Sequence, residues 1–508
     1  MKNFKNIIVL SLSILVTACS LDEEPPFPNN ESVYATVEGV QTALDGTYQG
    51  LTAFNYMGND FHYVTGGNSG FFVSGKGGEA TSSDNVNLCS LRPLNSSTHL
   101  EGLWRTTYAA VSRANDMIQA IDTAAFSESD RLMVKDALGQ AYFLRAYNYF
   151  NLVRLWGEVP LRLTPATDQD IHLSLSSASE GYDQIIADAE LAASMMNGAA
   201  GLGYPKAFAA HMLLAKVYMV LATAPAELQD TTLDYWQLAY DHAIQVYGQY
   251  ELVGDFAELW ESEGGNTEES IFELQFNKIN SSNFVKLFTA SNAIAGPSWG
   301  RMKINAEVYD LHAATYASDP RIAETYKGSY VNRNPNSGGY GNTVANYPDN
   351  TARKKFNSGF PYLYKYYEKD TANVTDLSNQ NFIIYRYADL LLMLSEISNE
   401  LQNGEQLGYV TEVLARVGLT PQVGYSSGKD SFREAIMNEY RFELVGEGHD
   451  WFNNRRRGYQ YFYDHVIDAH NNGPKFDPVV DVTLEDNEDI IMYLPLPAHE
   501  INTNQEIN

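Results

Sequence analysis

Flat rings set beside amides, carboxylates and guanidinium groups can hold a sugar. The rings cover the apolar C–H faces, and Asn, Asp, Gln or Arg pair with the hydroxyls. Two stretches of this 508-residue chain offer that mixture. The first, residues 54–72, carries Asp60, His62, Tyr63, Asn68, Phe71 and Phe72. The second, residues 297–367, carries Trp299, Arg301, Tyr330, Asn332, Tyr340, Asn342, Tyr347, Tyr362 and Tyr364. Trp299 stands out because Gly296-Pro297 precede it and Gly300 follows, a turn setting that can present a large ring. The expected ligand-binding set is therefore Asp60, His62, Tyr63, Phe72, Trp299, Arg301, Tyr330 and Tyr364. The plainer alternative is that these rings only pin long loops. Trp104 and Trp236 lie on helical stripes and are expected in the core.

Other chemistries have less to stand on. A glycoside hydrolase needs two carboxylates held across the scissile bond, but 63 acidic residues make proximate pairs unavoidable and so undiagnostic. His449 has no identifiable serine or cysteine nucleophile, and Cys89 has no activating partner nearby in sequence. Glu439 and Glu443 fall one helical turn apart with Arg441 between them and Arg455–Arg457 following, the pattern of a structural ion-pair network. No zincin or EF-hand pattern occurs. The acidic cluster Asp486, Glu488 and Asp489 is of a kind that so acidic a chain produces freely, and neither a metal nor a cofactor is predicted. The balance of 34 basic against 63 acidic residues, a formal charge of -29, repels phosphate backbones and excludes nucleic acid as a partner. A non-catalytic scaffold or adhesin is the third class in view.

The elements that must position these groups are mostly helical. Ser127 to Pro160 is the spine: Ser127 and Asp130 have capping spacing, and Leu138, Tyr142, Ala146, Tyr149 and Val153 form an apolar stripe. Ala137, Ala141, Leu144 and Asn148 form a second stripe beside it, so the helix must lie within a stack. Further starts are read at Ser32, Thr98, Ser177 (with Glu180), Pro205 and Asp234 (with Gln237), and later at Tyr387, Glu405 and Lys429. Successive helices of this length predict a mostly α fold, a tetratricopeptide-like helical solenoid with degenerate repeats. Residues 52–97 and 250–381 break the pattern, apart from an alternating strand at Ser270–Phe276, and predict an irregular, loop-rich region packed over the solenoid. The expected organisation is 1–18 signal peptide, 19–31 tether, 32–249 helical region with a binding loop at 52–97, 250–381 loop-rich region, and 382–508 C-terminal helices. Lys2, Lys5 and the apolar run Ile7–Val16 make a secretory leader too short to span a bilayer.

Several blocks carry a resemblance. Val16-Thr17-Ala18-Cys19 resembles a bacterial lipobox, which implies cleavage before Cys19 and its lipidation. The acidic run after it is similar to the surface-export signal of Bacteroidetes lipoproteins. Asp319-Pro320-Arg321, Tyr385-Arg386-Tyr387-Ala388-Asp389, Glu439 to Phe452 and Leu494-Pro495-Leu496-Pro497 together resemble the SusD/RagB family, the surface glycan- or nutrient-binding lipoproteins of Bacteroidetes. The chain departs from that pattern at Asp450 and over Asn453–Gly458. The resemblance implies a tetratricopeptide-like half under an irregular half and a non-enzymatic role in oligosaccharide capture. It also implies an outer-membrane anchor through Cys19, and as partner a SusC-like TonB-dependent transporter over which the protein sits as a lid.

Overall fold

The computed structural model describes residues 33–74, 83–167, 170–261, 263–279, 283–351, 359–375, 377–472 and 492–507. Cys19, its leader and the Asp486–Asp489 cluster lie outside the described residues. The N-terminal helices are α1 (Val37–Leu51), α2 (Asp60–Gly67), α3 (Thr98–Ala120), α4 (Glu128–Trp156), α5 (Ala178–Met195), α6 (Ala207–Thr223) and α7 (Tyr235–Val246). Their starts follow local chemistry. Ser177 and Glu180 form a reciprocal capping box, and Asp234 caps α7 by accepting the Gln237 N–H. The cap of α3 is Ser97, which accepts from the Leu100 N–H, one residue before the expected start.

From α3 to α7 each helix packs on the next, and α1 lies against α3 and α4. In α4 both stripes are interior in the C-terminal half, where Ala146, Tyr149 and Val153 of the first are also buried. Ala137, Ala141, Leu144 and Asn148 are fully buried, whereas Leu138 and Tyr142 remain partly exposed. Small residues there admit close neighbours: a Cβ on Gly139 would come within 2.8 Å of Met195 on α5.

After α7 the chain leaves the stack and returns. Helix α8 (Tyr387–Leu401) packs directly on α7, and α9 (Gln406–Arg416) and α10 (Lys429–Leu444) then pack on α8. The irregular region is thus a long excursion from a continuous helical layer, and its core joins that of the helices. Its short antiparallel pairs are β1 (Phe72–Ser74) with β3 (Met302–Ile304), β2 (Ser270–Leu274) with β8 (Phe382–Arg386), β4 (Tyr326–Lys327) with β7 (Tyr362–Leu363), and β5 (Ser329–Val331) with β6 (Thr343–Ala345).

A buried ionic network fastens excursion to stack. Arg321 donates to both Asp319 oxygens, to Glu439 (2.7 Å) and to Glu443 (2.7 Å). Arg386, at the end of β8, reaches Glu269 (2.7 Å), Glu443 (2.6 Å) and Glu447 (2.8 Å). Arg416 and Lys365 complete it on Glu269, Glu443 and Glu447. Burial opposes ionisation of Glu443, but Arg416, Arg386 and Arg321 outweigh it and hold the carboxyl well below the usual range. Glu439, facing fewer cations, is pushed up by burial. Arg441 is not the partner of these glutamates. It lies 4.3 Å over the Phe71 ring, on another side of the helix.

Candidate functional site

The described residues of 52–97 are largely helical rather than loop. A π-type turn at Phe54–Gly58 leads into α2, and a short helix occupies Ser83–Cys89. Nearly all of α2 is buried. His99 Nδ1 lies 2.8 Å from Asp60. His62 Nε2 lies 2.8 Å from the Met57 carbonyl oxygen, and its ring packs 4.4 Å from Phe382. Burial lowers His62 to about 4, so it is neutral at physiological pH. Tyr63 packs 4.6 Å from His99, and Phe72 pairs with Ile304 across the β1–β3 ladder. Asp60, His62, Tyr63 and Phe72 are each below 5% exposed. All four are thus buried, and His62 and Phe72 line a small cavity with Thr65, Gly66 and Phe288.

The second stretch behaves differently. Loop 289–301 folds back on itself between a turn of helix at Phe284–Phe288 and β3. The Trp299 and Gly300 amides both donate to the Lys286 carbonyl, at 2.9 and 3.2 Å. Ser291 Oγ donates to the Trp299 carbonyl and Ser298 Oγ to that of Ala290. Gly300 has φ +55° and presses on Ala290, where a Cβ would come 3.1 Å from its Cα. Both the conformation and the space call for glycine there. Gly296 is pressed on the Asn373 carbonyl, which a Cβ would approach to 2.3 Å. The braced loop leaves Trp299 half-exposed. The Arg301 guanidinium sits 4.4 Å over its ring, and Phe54 meets it edge-on at 6.2 Å.

The two expected stretches therefore meet twice, through the β1–β3 ladder and, nearer the surface, at Phe54 and Trp299. Phe54 is 36% exposed, the most exposed ring of its segment and one the expected set had left out. Hairpin β5–β6 is tied to the same loop. The Arg333 amide donates to the Asn292 carbonyl (2.6 Å) and Asn334 Nδ2 to Asn292 Oδ1 (2.7 Å). The hairpin connection carries Tyr340, 62% exposed. On the far flank, Tyr330 and Tyr364 border a cluster of Tyr362, Tyr367, Ala290 and Ala293. Lys327 and Lys369 stand 4.4 and 5.0 Å over the Tyr364 ring. Burial raises both Tyr330 and Tyr364, so their hydroxyls stay protonated at neutral pH.

The patch is a braced platform rather than a pocket. Two roomy depressions lie elsewhere. One of about 260 Å³ lies beside Trp104, Tyr108 and Glu500, and one of about 360 Å³ between α1 and Gly203. Trp104 is core, as expected, with its indole N–H on Glu500 at 3.2 Å. His449 is largely covered, its side chain 11% exposed. Burial lowers it to about 4, and its nearest carboxylate, Asp389, is 4.0 Å away. Among the described residues no group of three or more His, Cys, Asp or Glu side chains could hold a metal ion.

The profile of the SusD family matches residues 245–508, and that of a family described as starch-binding associating with outer membrane matches residues 27–219. The chain belongs to the SusD family. SusD-like protein P2 of Formosa agariphila is 25% identical over all of this chain and 99% of its own length. A SusD superfamily protein of Parabacteroides distasonis shares the fold with a TM-score of 0.76 at 22% identity, covering 93% of this chain and 98% of its own. A laminarin-binding SusD-like protein superposes with a TM-score of 0.68 at 20% identity, covering 93% and 98%. Three of the blocks that carried the resemblance supply the buried ionic network, through Arg321, Arg386, Glu439, Glu443 and Glu447, whereas the Pro495 carbonyl of the fourth accepts from the Trp156 indole N–H. Those shared residues hold the irregular region onto the helices. Among the described residues no helix is long and apolar enough to cross a membrane.

Proposed function

We propose that this SusD-family chain is a non-catalytic surface receptor that captures a soluble oligosaccharide and passes it to a SusC-like TonB-dependent transporter in the outer membrane, held there by lipid on Cys19. The observation that carries the reading is the braced presentation of Trp299 beside Phe54 and Arg301. A loop that is hydrogen-bonded inward at several points yet leaves a large ring half-exposed is organised for presentation. Phe54 and Trp299 supply apolar faces. Arg301, Asn292 and Asn334 supply partners for hydroxyls, and Tyr330 and Tyr364 extend the platform. Phe72 contributes by register, because its strand pairs with the strand that follows Arg301.

An open platform suits capture and release. Several weak stacking contacts give moderate affinity without a deep pocket that would retain the ligand. The starch-binding family description and the laminarin-binding relative support a neutral glucan-like oligosaccharide as the first class to test. Calorimetry against neutral and acidic oligosaccharides, with product analysis after incubation, tests the proposal. Reversible binding without cleavage supports a receptor. Released fragments would indicate a hydrolase, and silence across the panel a protein-binding scaffold.

A further inference from the structure

A second site lies far from the platform, where helices α4, α6 and α10 meet α11 (Asp450–Arg455). Six polar side chains line a small crevice there: Arg154, Lys216, Tyr440, His449, Asn453 and Arg456. The rest of its wall is apolar and no carboxylate lines it. About 20 Å³ is left for the centre of a water-sized sphere, room for one small species.

The charges around the crevice do not balance. Lys216 pairs with Asp389 at 2.7 Å and Arg456 with Glu396 at 2.5 Å, both carboxylates standing behind the wall. Arg154 has no carboxylate partner among the described residues. Its guanidinium is sandwiched between the rings of Phe150 (4.0 Å) and Phe452 (3.8 Å) and donates only to the Phe150 carbonyl and Asn151 Oδ1. Neighbouring Arg455 adds a further buried guanidinium that donates only to the backbone carbonyls of Met492 and Arg154. The Tyr440 hydroxyl is buried near Glu396 without a hydrogen bond of normal geometry to it. Burial pushes Arg154 below its ordinary value, and Lys216 likewise although Asp389 opposes the shift. In a chain of formal charge -29, this is an interior of the opposite sign.

We infer that the crevice binds one small monovalent anion of halide size, chloride in the cell, which joins α4 and α6 of the helical stack to the C-terminal block. A neutral water leaves the Arg154 charge uncompensated, whereas a halide balances it and accepts from Arg154, Lys216 and Tyr440 together. The space admits neither a sulfate nor a sugar carboxylate. The anion balances the Arg154 charge and pins elements that no other ionic contact of Arg154 ties.

Bromide serves as the probe. Crystals of the protein soaked in sodium bromide should show an anomalous peak within hydrogen-bond reach of Arg154 and Lys216. At constant ionic strength, replacing gluconate with bromide should raise the thermal midpoint by roughly 2–3 °C at a hundredfold excess over the dissociation constant. Arg154→Gln and, separately, Lys216→Gln should each lose that bromide-dependent rise. The inference is overturned by a crevice without an anomalous peak. It is equally overturned by a midpoint indifferent to bromide, or by a Lys216→Gln protein that keeps the full response. These readings need no glycan, so they stand or fall apart from the receptor proposal.

Discussion

Replacing Arg321 with Met tests what holds the irregular region onto the helices. The substitution removes the side-chain donors to Asp319, Glu439 and Glu443 in an interior where Arg321 and Glu443 are fully buried. Glu443 keeps Arg386 at 2.6 Å and Arg416 at 2.5 Å. Asp319 keeps only His312 at 2.8 Å and one backbone amide, and Glu439 keeps the Tyr425 hydroxyl at 3.4 Å. Two carboxylates are thus left without their principal cation. Stranding one partner of a buried pair costs about 3–5 kcal/mol, and urea unfolding at pH 8 should show a loss of that size. The sign of the pH dependence follows. In the variant the orphaned carboxyls gain raised folded-state values, so the folded state takes up protons that the unfolded state does not. The deficit should therefore shrink between pH 8 and pH 5. Adding Glu439→Gln should recover part of it. A deficit below about 1 kcal/mol, or one equal at both pH values, would refute the assignment of Arg321 as the clasp.

Asp450, one of the departures from the family pattern, is pushed up to about 7 by burial and accepts the Gly446 amide at 2.9 Å. Its folded value lies above its unfolded one, so it adds stability below about pH 4 that is lost as pH rises through 7. Asp450→Asn, which can keep the Gly446 bond, should flatten the decline over that window and be at least as stable at pH 8; an unchanged slope would show that another group titrates. Cys19→Ala should release the protein from membranes, and a variant that still partitions with them would place the anchor elsewhere.

The helical layer was legible because its signals are local. Ser177 with Glu180, Asp234 with Gln237, and the run Tyr387–Leu401 each announce an element within one or two turns. Helix α2 was not legible. It is short, ends in two glycines and is buried on nearly every side, so no amphipathic period marks it and its rings read as loop rings. The ionic network was half legible. The spacing of Glu439 and Glu443 points to ion pairing, but the nearest cation in sequence, Arg441, sits two residues away and so faces elsewhere. Arg321 and Arg386 reach the glutamates only through the tertiary fold. The same limit applied to the platform. Glycines around Trp299 signalled a presented ring, whereas its meeting with Phe54, which lies on the other side of helices α2 to α7 in sequence, leaves no mark in either segment.

The most direct test of the receptor reading is calorimetric titration of the protein and of its Trp299→Ala variant with the same neutral and acidic oligosaccharides. Stacking on an aromatic ring contributes about 0.5–1.5 kcal/mol beyond the area it buries, so a ligand of the native protein should lose at least several-fold in affinity, with the circular dichroism spectrum unchanged. Binding to the variant as tight as to the native protein would contradict the platform built on Trp299, and a native protein silent toward every oligosaccharide would contradict the ligand class itself.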